Sequence, residues 1–162
     1  MTSILIVDDD PDMAELLGHM TDILGYEHRF VRTGAEALAA CAERQPDAIV
    51  LDIMLEETDG WALYTKLRPQ TPAPIIFITA WRTGENRARA EGLHADGFLA
   101  KPISHQDFAA ALERVLGDRE LAETLRDAGR ARAAEYTWAR TARLVTDAYL
   151  ELTPQAYDGA SR

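Results

Sequence analysis

One cysteine, Cys41, is present in 162 residues, so no intrachain disulfide can form and the fold must be held by its core. Cys41 falls in an alanine-rich helical stretch, where a lone thiol reads as a small buried apolar side chain rather than a reactive one. Positive charge is also in deficit. The 27 acidic side chains outnumber the 17 basic ones and leave a net charge of −10. No basic patch of the kind that contacts nucleic-acid phosphates is visible. Long apolar runs are missing too, and nothing approaches the ~20 residues of a membrane span. The opening MTSILIVDDD lacks both the basic region and the apolar length of a signal peptide. His19, His28, His94 and His105 do not share a zinc-type spacing. The expectation is a cytoplasmic protein with no membrane partner, no DNA binding by this chain and no transition-metal site.

What is present is enough apolar material for a core. Hydrophobic residues make up 47% of the chain, which argues against wholesale disorder. The length suits one domain with an appendage. Residues 1–117 hold 19 acids and 10 bases, whereas residues 118–162 hold 8 and 7. The later segment is therefore nearly neutral and not a basic DNA-binding module.

Through residue 117, short apolar runs alternate with helical patterns. Ile4–Val7 is β-branched and apolar. Asp12 to Leu24 comes next, with Met13, Leu16, Leu17, Met20 and Leu24 at helical spacing and Gly25 as its stop. Glu27–Val31 is a weaker strand. Thr33 caps a helix from Gly34 to Arg44, with Pro46 beyond it. Ala48–Leu51 is a strand, and Asp59-Gly60 turns into a helix over Trp61–Leu67. Ile75–Ile78 is the strongest strand. Arg82–Leu93 reads as a helix, Gly97–Ala100 as a strand, and Ser104–Leu116 as a helix with Ser104 as N-cap. A βα unit repeated five times, with continuously apolar strands, predicts a doubly wound parallel α/β sheet covered by helices on both faces. Ligands of such sheets sit at the carboxyl ends of the strands.

Polar residues stand at those ends. Asp8-Asp9 follows ILIV, Asp52 follows AIVL, Thr79 follows IIFI, and Lys101-Pro102 follows GFLA. Taken singly, each has an ordinary reading: Asp-Asp as turn chemistry, Lys101 as a surface lysine. Gathered at one edge they make a pocket of three carboxylates, a hydroxyl and an ammonium. The carboxylates would repel one another unless a cation neutralised them. Adjacent aspartates suit Mg²⁺, a hard ion that takes oxygen ligands. An aspartate can accept a phosphoryl group as an acyl phosphate, and that transfer runs mostly on positioning and electrostatics. Asp52 is the acceptor in this reading, Lys101 and Thr79 serve the phosphoryl oxygens, and Ala80 leaves room beside them. Pro102 turns the chain after Lys101.

The ordered set ILIVDDDPD, PDAIVLDIML with its Asp59-Gly60, PIIFITA and HADGFLAKPIS resembles the receiver domain of two-component response regulators, across residues 1–117. The resemblance implies a flavodoxin-like (βα)5 fold with strand order 2-1-3-4-5. It implies that a histidine kinase or phosphotransfer protein phosphorylates Asp52. Asp8 and Asp9 would hold Mg²⁺ with help from Asp52 and the backbone carbonyl of Met54. Thr79 and Lys101 would contact the phosphoryl group. Phe98 matches the family's switch aromatic, which moves with the threonine; read without the family it is an ordinary core residue. The expected activity is that of a phosphoacceptor that dephosphorylates itself slowly, not of an enzyme with an external substrate. Two positions depart from the pattern. Glu56 stands where the family usually has proline, which makes the loop after Asp52 more acidic and freer to move. Trp81, two residues past Thr79, either shields an acyl phosphate from water opposite Met54 or covers apolar surface.

After Gly117 a different pattern begins. Residues 118–152 read as a two-helix extension, with Trp138, Ala142, Val145, Tyr149 and Leu152 forming an apolar stripe. Residues 153–162 read as a flexible tail. The segment DRELAETLRDAGRARAAEYTWARTARLVTDAYLEL resembles the C-terminal helices of GT-B glycosyltransferases. The alternative reading it carries is a module associated with glycosyltransferase machinery. The apolar stripe leaves three outlets open: packing on its own receiver, forming a homodimer, or docking a partner.

Overall fold

The computed structural model describes residues 1–80 and 84–117. Trp81, the expected extension over 118–152 and the tail over 153–162 lie outside the described residues. Five strands and five helices alternate as β1 (Ser3–Val7), α1 (Pro11–Ile23), β2 (Glu27–Val31), α2 (Gly34–Glu43), β3 (Ala48–Asp52), α3 (Gly60–Leu67), β4 (Ile75–Thr79), α4 (Gly84–Gly92), β5 (Gly97–Ala100) and α5 (His105–Gly117). All strand pairs are parallel, and the sheet order is β2-β1-β3-β4-β5. The five βα units predict the doubly wound parallel sheet, and the strand order is the flavodoxin-like one that the resemblance implies.

Successive strand residues face opposite sides of a sheet, and that alternation divides the core in two. Leu5, Val7, Ile49, Leu51, Ile75 and Phe77 pack with α2, α3 and α4 through Cys41, Trp61, Tyr64, Leu67 and Ala90. Ile4, Ile6, Val50, Ile76 and Ile78 face the other way, against Leu17 and Met20 of α1 and Phe108, Leu112 and Val115 of α5. The central strands β3 and β4 are buried at all five positions. Each fully buried Leu, Ile or Phe contributes about 1.5–3 kcal/mol, so the residues at the ends of these strands stand on a rigid base.

β2 departs from the expectation of strands covered on both faces. Glu27, His28 and Arg29 are exposed. β2 is an edge strand, and its outer face meets water rather than another strand. Arg29 pairs with Glu43 at 2.7 Å and Arg44 with Glu27 at 3.3 Å. Exposed pairs of this kind add little stability, but charge on an edge strand discourages pairing with a second sheet.

The helix starts obey local chemistry. Asp10 accepts the Asp12 N–H at 3.0 Å, with Pro11 at the first helical position. Thr33, Asp59 and Ser104 accept the N–H groups of Glu36, Trp61 and Asp107 in the same way. Gly25, at φ 75°, ends α1. β3 and β4 run one residue further than the apolar runs alone predict, so Asp52 and Thr79 are the last residues of their strands.

One buried polar network has no counterpart in the sequence reading. Arg68, at the end of α3, is fully buried and pairs with the equally buried Asp96 at 3.2 Å. It also donates to the carbonyls of Thr71 and Ala73, while Asp96 accepts the Ile75 N–H at 2.8 Å. Arg114 of α5 donates to the Asp96 carbonyl at 3.1 Å. The network fastens the amino end of β4, the end opposite the site.

Candidate functional site at the carboxyl edge of the sheet

β1, β3 and β5 deliver three side chains to one point. Asp8 directly follows β1 and is fully buried, and Asp52 ends β3 at 3% exposure. Lys101 directly follows β5, and its Nζ donates to Asp8 Oδ2 at 3.0 Å and to Asp52 Oδ2 at 2.7 Å. The other oxygens are engaged by backbone. Asp8 Oδ1 accepts the Asp10 N–H at 2.9 Å, and Asp52 Oδ1 accepts the Met54 N–H at 2.9 Å. Asp9 sits half-buried at the rim. Asp8, Asp9 and Asp52 each offer a carboxylate oxygen, and these oxygens lie within 4.8 Å of one another.

The remaining predicted residues lie on the strands and loops next to this point. Thr79 ends β4, between β3 and β5, and is fully buried. It pairs in register with Ala100, and its carbonyl accepts the Lys101 N–H at 2.7 Å. The Lys101–Pro102 peptide is cis. Met54 lies in the loop just beyond Asp52, bridged to Asp59, and is 47% exposed. Phe98 is half-buried, in register with Phe77 and packed on the α4 side of the core.

The charges are unbalanced. Burial pushes the Asp8 carboxyl above its ordinary range. The Asp10 N–H and the Lys101 bond oppose that shift, and the Asp52 charge adds to it. Burial alone would lower the Lys101 ammonium, but its bonds to Asp52 and Asp8 outweigh burial and hold it above the usual lysine value. One ammonium therefore faces three carboxylates. The surplus negative charge and the all-oxygen donor set fit Mg²⁺, which binds through a few carboxylates and keeps its own waters.

Two contributors were not legible in the sequence. Gly60 is visible there only as half of an Asp-Gly turn. In the structure, a Cβ at this position would lie 2.5 Å from the Asp52 carbonyl oxygen and 2.6 Å from Ile53 Cα. α3 therefore abuts the end of β3 directly. Glu56 is the second. Its N–H donates to Asp9 Oδ2 at 2.9 Å, which ties down a loop expected to be freer. Composition holds a further signal for Lys101: it is one of only two lysines in a chain whose other cations are arginines.

A flavodoxin-like sheet with an acidic cluster beside the point where its strand order reverses is a binding architecture. The comparisons name the family. The model of the response regulator receiver domain matches residues 4–113, and the chain belongs to that family. A probable transcriptional regulator ycf27 of Pyropia yezoensis is 36% identical over 115 residues, 70% of this chain and 46% of its own. The transcriptional regulatory protein KdpE of Mycobacterium tuberculosis is 33% identical over 112 residues, 69% of this chain and 50% of its own. The chain thus spans about half the length of the curated relatives it matches. A two-component response regulator of Clostridium difficile superposes with a TM-score of 0.70 at 28% identity, over 74% of this chain and 98% of that one. The matched family gives no support to the glycosyltransferase alternative. Among the described residues, no helix is long and apolar enough to cross a membrane.

Proposed function

We propose that this chain is a phosphoacceptor of two-component signalling, switched by a phosphoryl group on Asp52. The carrying observation is the convergence of Asp8, Asp52 and Lys101 at 3.0 and 2.7 Å, with Asp9 alongside. Asp8, Asp9, Asp52 and the backbone carbonyl of Met54 would hold Mg²⁺, which when bound neutralises charge on the transferring phosphoryl oxygens. A histidine kinase or phosphotransfer protein is the donor. A carboxylate oxygen of Asp52 attacks phosphorus, an O–P bond forms, and the N–P bond of the phosphohistidine breaks, leaving its electron pair on the ring nitrogen. Lys101 then pairs with a phosphoryl oxygen, and the Thr79 hydroxyl donates to another. Attack by water on phosphorus then forms a new O–P bond, breaks the Asp52 O–P bond, and releases inorganic phosphate with the Asp52 carboxylate restored.

The output in this reading is a change of protein contact or dimerisation. Thr79 and Phe98 repack together on the side formed by α4, β5 and α5, and Gly117, the end of α5, marks the boundary between the receiver and residues 118–162. The named relatives are transcriptional regulators. The receiver segment itself holds 19 acids against 10 bases, so the reading gives it protein contact rather than contact with DNA. The test is intact-mass analysis after incubation with acetyl phosphate and Mg²⁺. One phosphoryl adduct is expected on the wild type, none on Asp52→Ala and none with a chelator present. A wild type that never takes up the adduct overturns the proposal.

A further inference from the structure

Glu56 is exposed, and its side chain does not explain the contact it makes. Across 47 residues of sequence, its backbone N–H donates to Asp9 Oδ2 at 2.9 Å. Asp9 is the rim carboxylate of the three, half-buried beside two buried ones. A hydrogen bond to an ionised acceptor is among the stronger kinds, and this donor is itself held in place. Met54 bridges Asp59, Gly60 N–H donates to the Ile53 carbonyl at 2.9 Å, and Trp61 N–H donates to Asp59 Oδ1 at 3.0 Å. The loop between β3 and α3 is therefore closed on itself and presents the Glu56 amide to Asp9 from a fixed place.

We propose that the Glu56 backbone amide is a positioning group for the cation site. It holds the Asp9 carboxylate in the orientation that keeps one of its oxygens within 4.8 Å of those of Asp8 and Asp52. The inference rests on the reading of these three aspartates as a Mg²⁺ site. The agent is the N–H and not the acidic side chain. A proline at 56, which lacks the N–H, could not do this. Binding and positioning are reciprocal, so Mg²⁺ at the aspartates alters the environment of the Glu56 amide.

The test uses the full chain and MgCl₂ alone. Isothermal titration compares wild type, Glu56→Gln, which keeps the N–H, and Glu56→Pro, which removes it. The expected result is Glu56→Gln within about twofold of wild type and Glu56→Pro about tenfold weaker, a difference of about 1.4 kcal/mol. Nitrogen-resolved NMR supplies a readout that needs no proline. The Glu56 amide signal of the wild type is expected to move on Mg²⁺ addition, and in Asp9→Ala to lie upfield of its wild-type position before any Mg²⁺ is added. Equal affinity of Glu56→Pro and wild type overturns the inference, as does a Glu56→Gln loss as large as that of Glu56→Pro, or a Glu56 amide indifferent to Asp9→Ala. A wild type that binds no Mg²⁺ removes the cation-site reading and this inference together. A wild type that binds while Glu56→Pro binds equally well removes the inference alone.

Discussion

Lys101 follows β5 and Asp52 ends β3, two strands separated by β4, yet their side chains meet at 2.7 Å across the carboxyl end of the sheet. The same ammonium reaches Asp8 at 3.0 Å. It is the one cation that the described structure sets between the two buried carboxylates.

Removing it should expose their repulsion. Lys101→Ala is expected to destabilise the fold by about 2–3 kcal/mol in metal-free buffer, somewhat below the cost of breaking a fully buried pair, because the lysine is 15% exposed. The folded-state pKa of Lys101 is raised. Its contribution is therefore fully present below the unfolded value of 10.5 and is lost as pH rises through the higher folded value. Urea titrations across the alkaline range should show the gap between wild type and Lys101→Ala closing there. A gap unchanged by pH would show that packing of the lysine stem, not its charge, accounts for the effect.

Asp8 works in the opposite sense. Its folded-state pKa lies above 3.8 because burial penalises the charge. Ionised Asp8 therefore subtracts stability at neutral pH, and that penalty fades as pH falls through the raised value. Asp8→Asn leaves Lys101 paired with Asp52 and relieves a like-charge contact. It is expected to stabilise the metal-free chain at pH 7 by about 1 kcal/mol, well below the bare repulsion of two buried charges, because Lys101 sits on both carboxylates and offsets most of it. The advantage should vanish on acidification to about the unfolded value. Mg²⁺ should stabilise the wild type more than the variant, since a ligand that binds only the folded state adds to its stability. Thermal melts with and without Mg²⁺ at several pH values decide it, and a variant less stable than wild type at pH 7 contradicts the sign.

Gly60 and Gly18 make a matched pair. A Cβ at Gly60 would meet backbone, 2.5 Å from the Asp52 carbonyl oxygen and 2.6 Å from Ile53 Cα. A Cβ at Gly18 would meet only the end of the His28 ring, at 2.8 Å. Alanine is worth about 1 kcal/mol over glycine inside a helix, and overpacking costs about 1–3 kcal/mol. His28 is exposed and can swing aside, so Gly18→Ala should be neutral or stabilising. The end of β3 cannot move without carrying Asp52, so Gly60→Ala should cost about 1–3 kcal/mol and weaken Mg²⁺ binding. Denaturant titrations of both variants test the contrast; equal effects would mean that the α3–β3 contact yields.

The strands were legible because their signal is local. Glu27–Val31 and Gly97–Ala100 are found with the predicted bounds, and the caps Thr33 and Ser104 are the ones observed. Boundaries slipped by a residue where a polar side chain ends a strand, as at Asp52 and Thr79, because hydropathy stops before the hydrogen-bond ladder does. β2 was expected to be covered on both faces and is not. The strand order that the resemblance implies already sets β2 at an edge, but the local apolar pattern, which contains no strand order, does not. The Arg68–Asp96 pair was invisible for a related reason: a buried arginine and an exposed one look alike until the elements around them are packed.

The sequence alone determined which polar residues terminate which apolar runs. Hydrophobic periodicity over a few residues dictates this. Only the tertiary structure decided how those residues use one another. The double hold of Lys101 on Asp8 and Asp52, the close seat of Gly60 on the end of β3, and the Glu56 amide on Asp9 depend on ångström-scale distances between strands and loops far apart in the chain. Hydrogen bonds and charge pairs weaken steeply over such distances, whereas the apolar pattern that builds the sheet tolerates them.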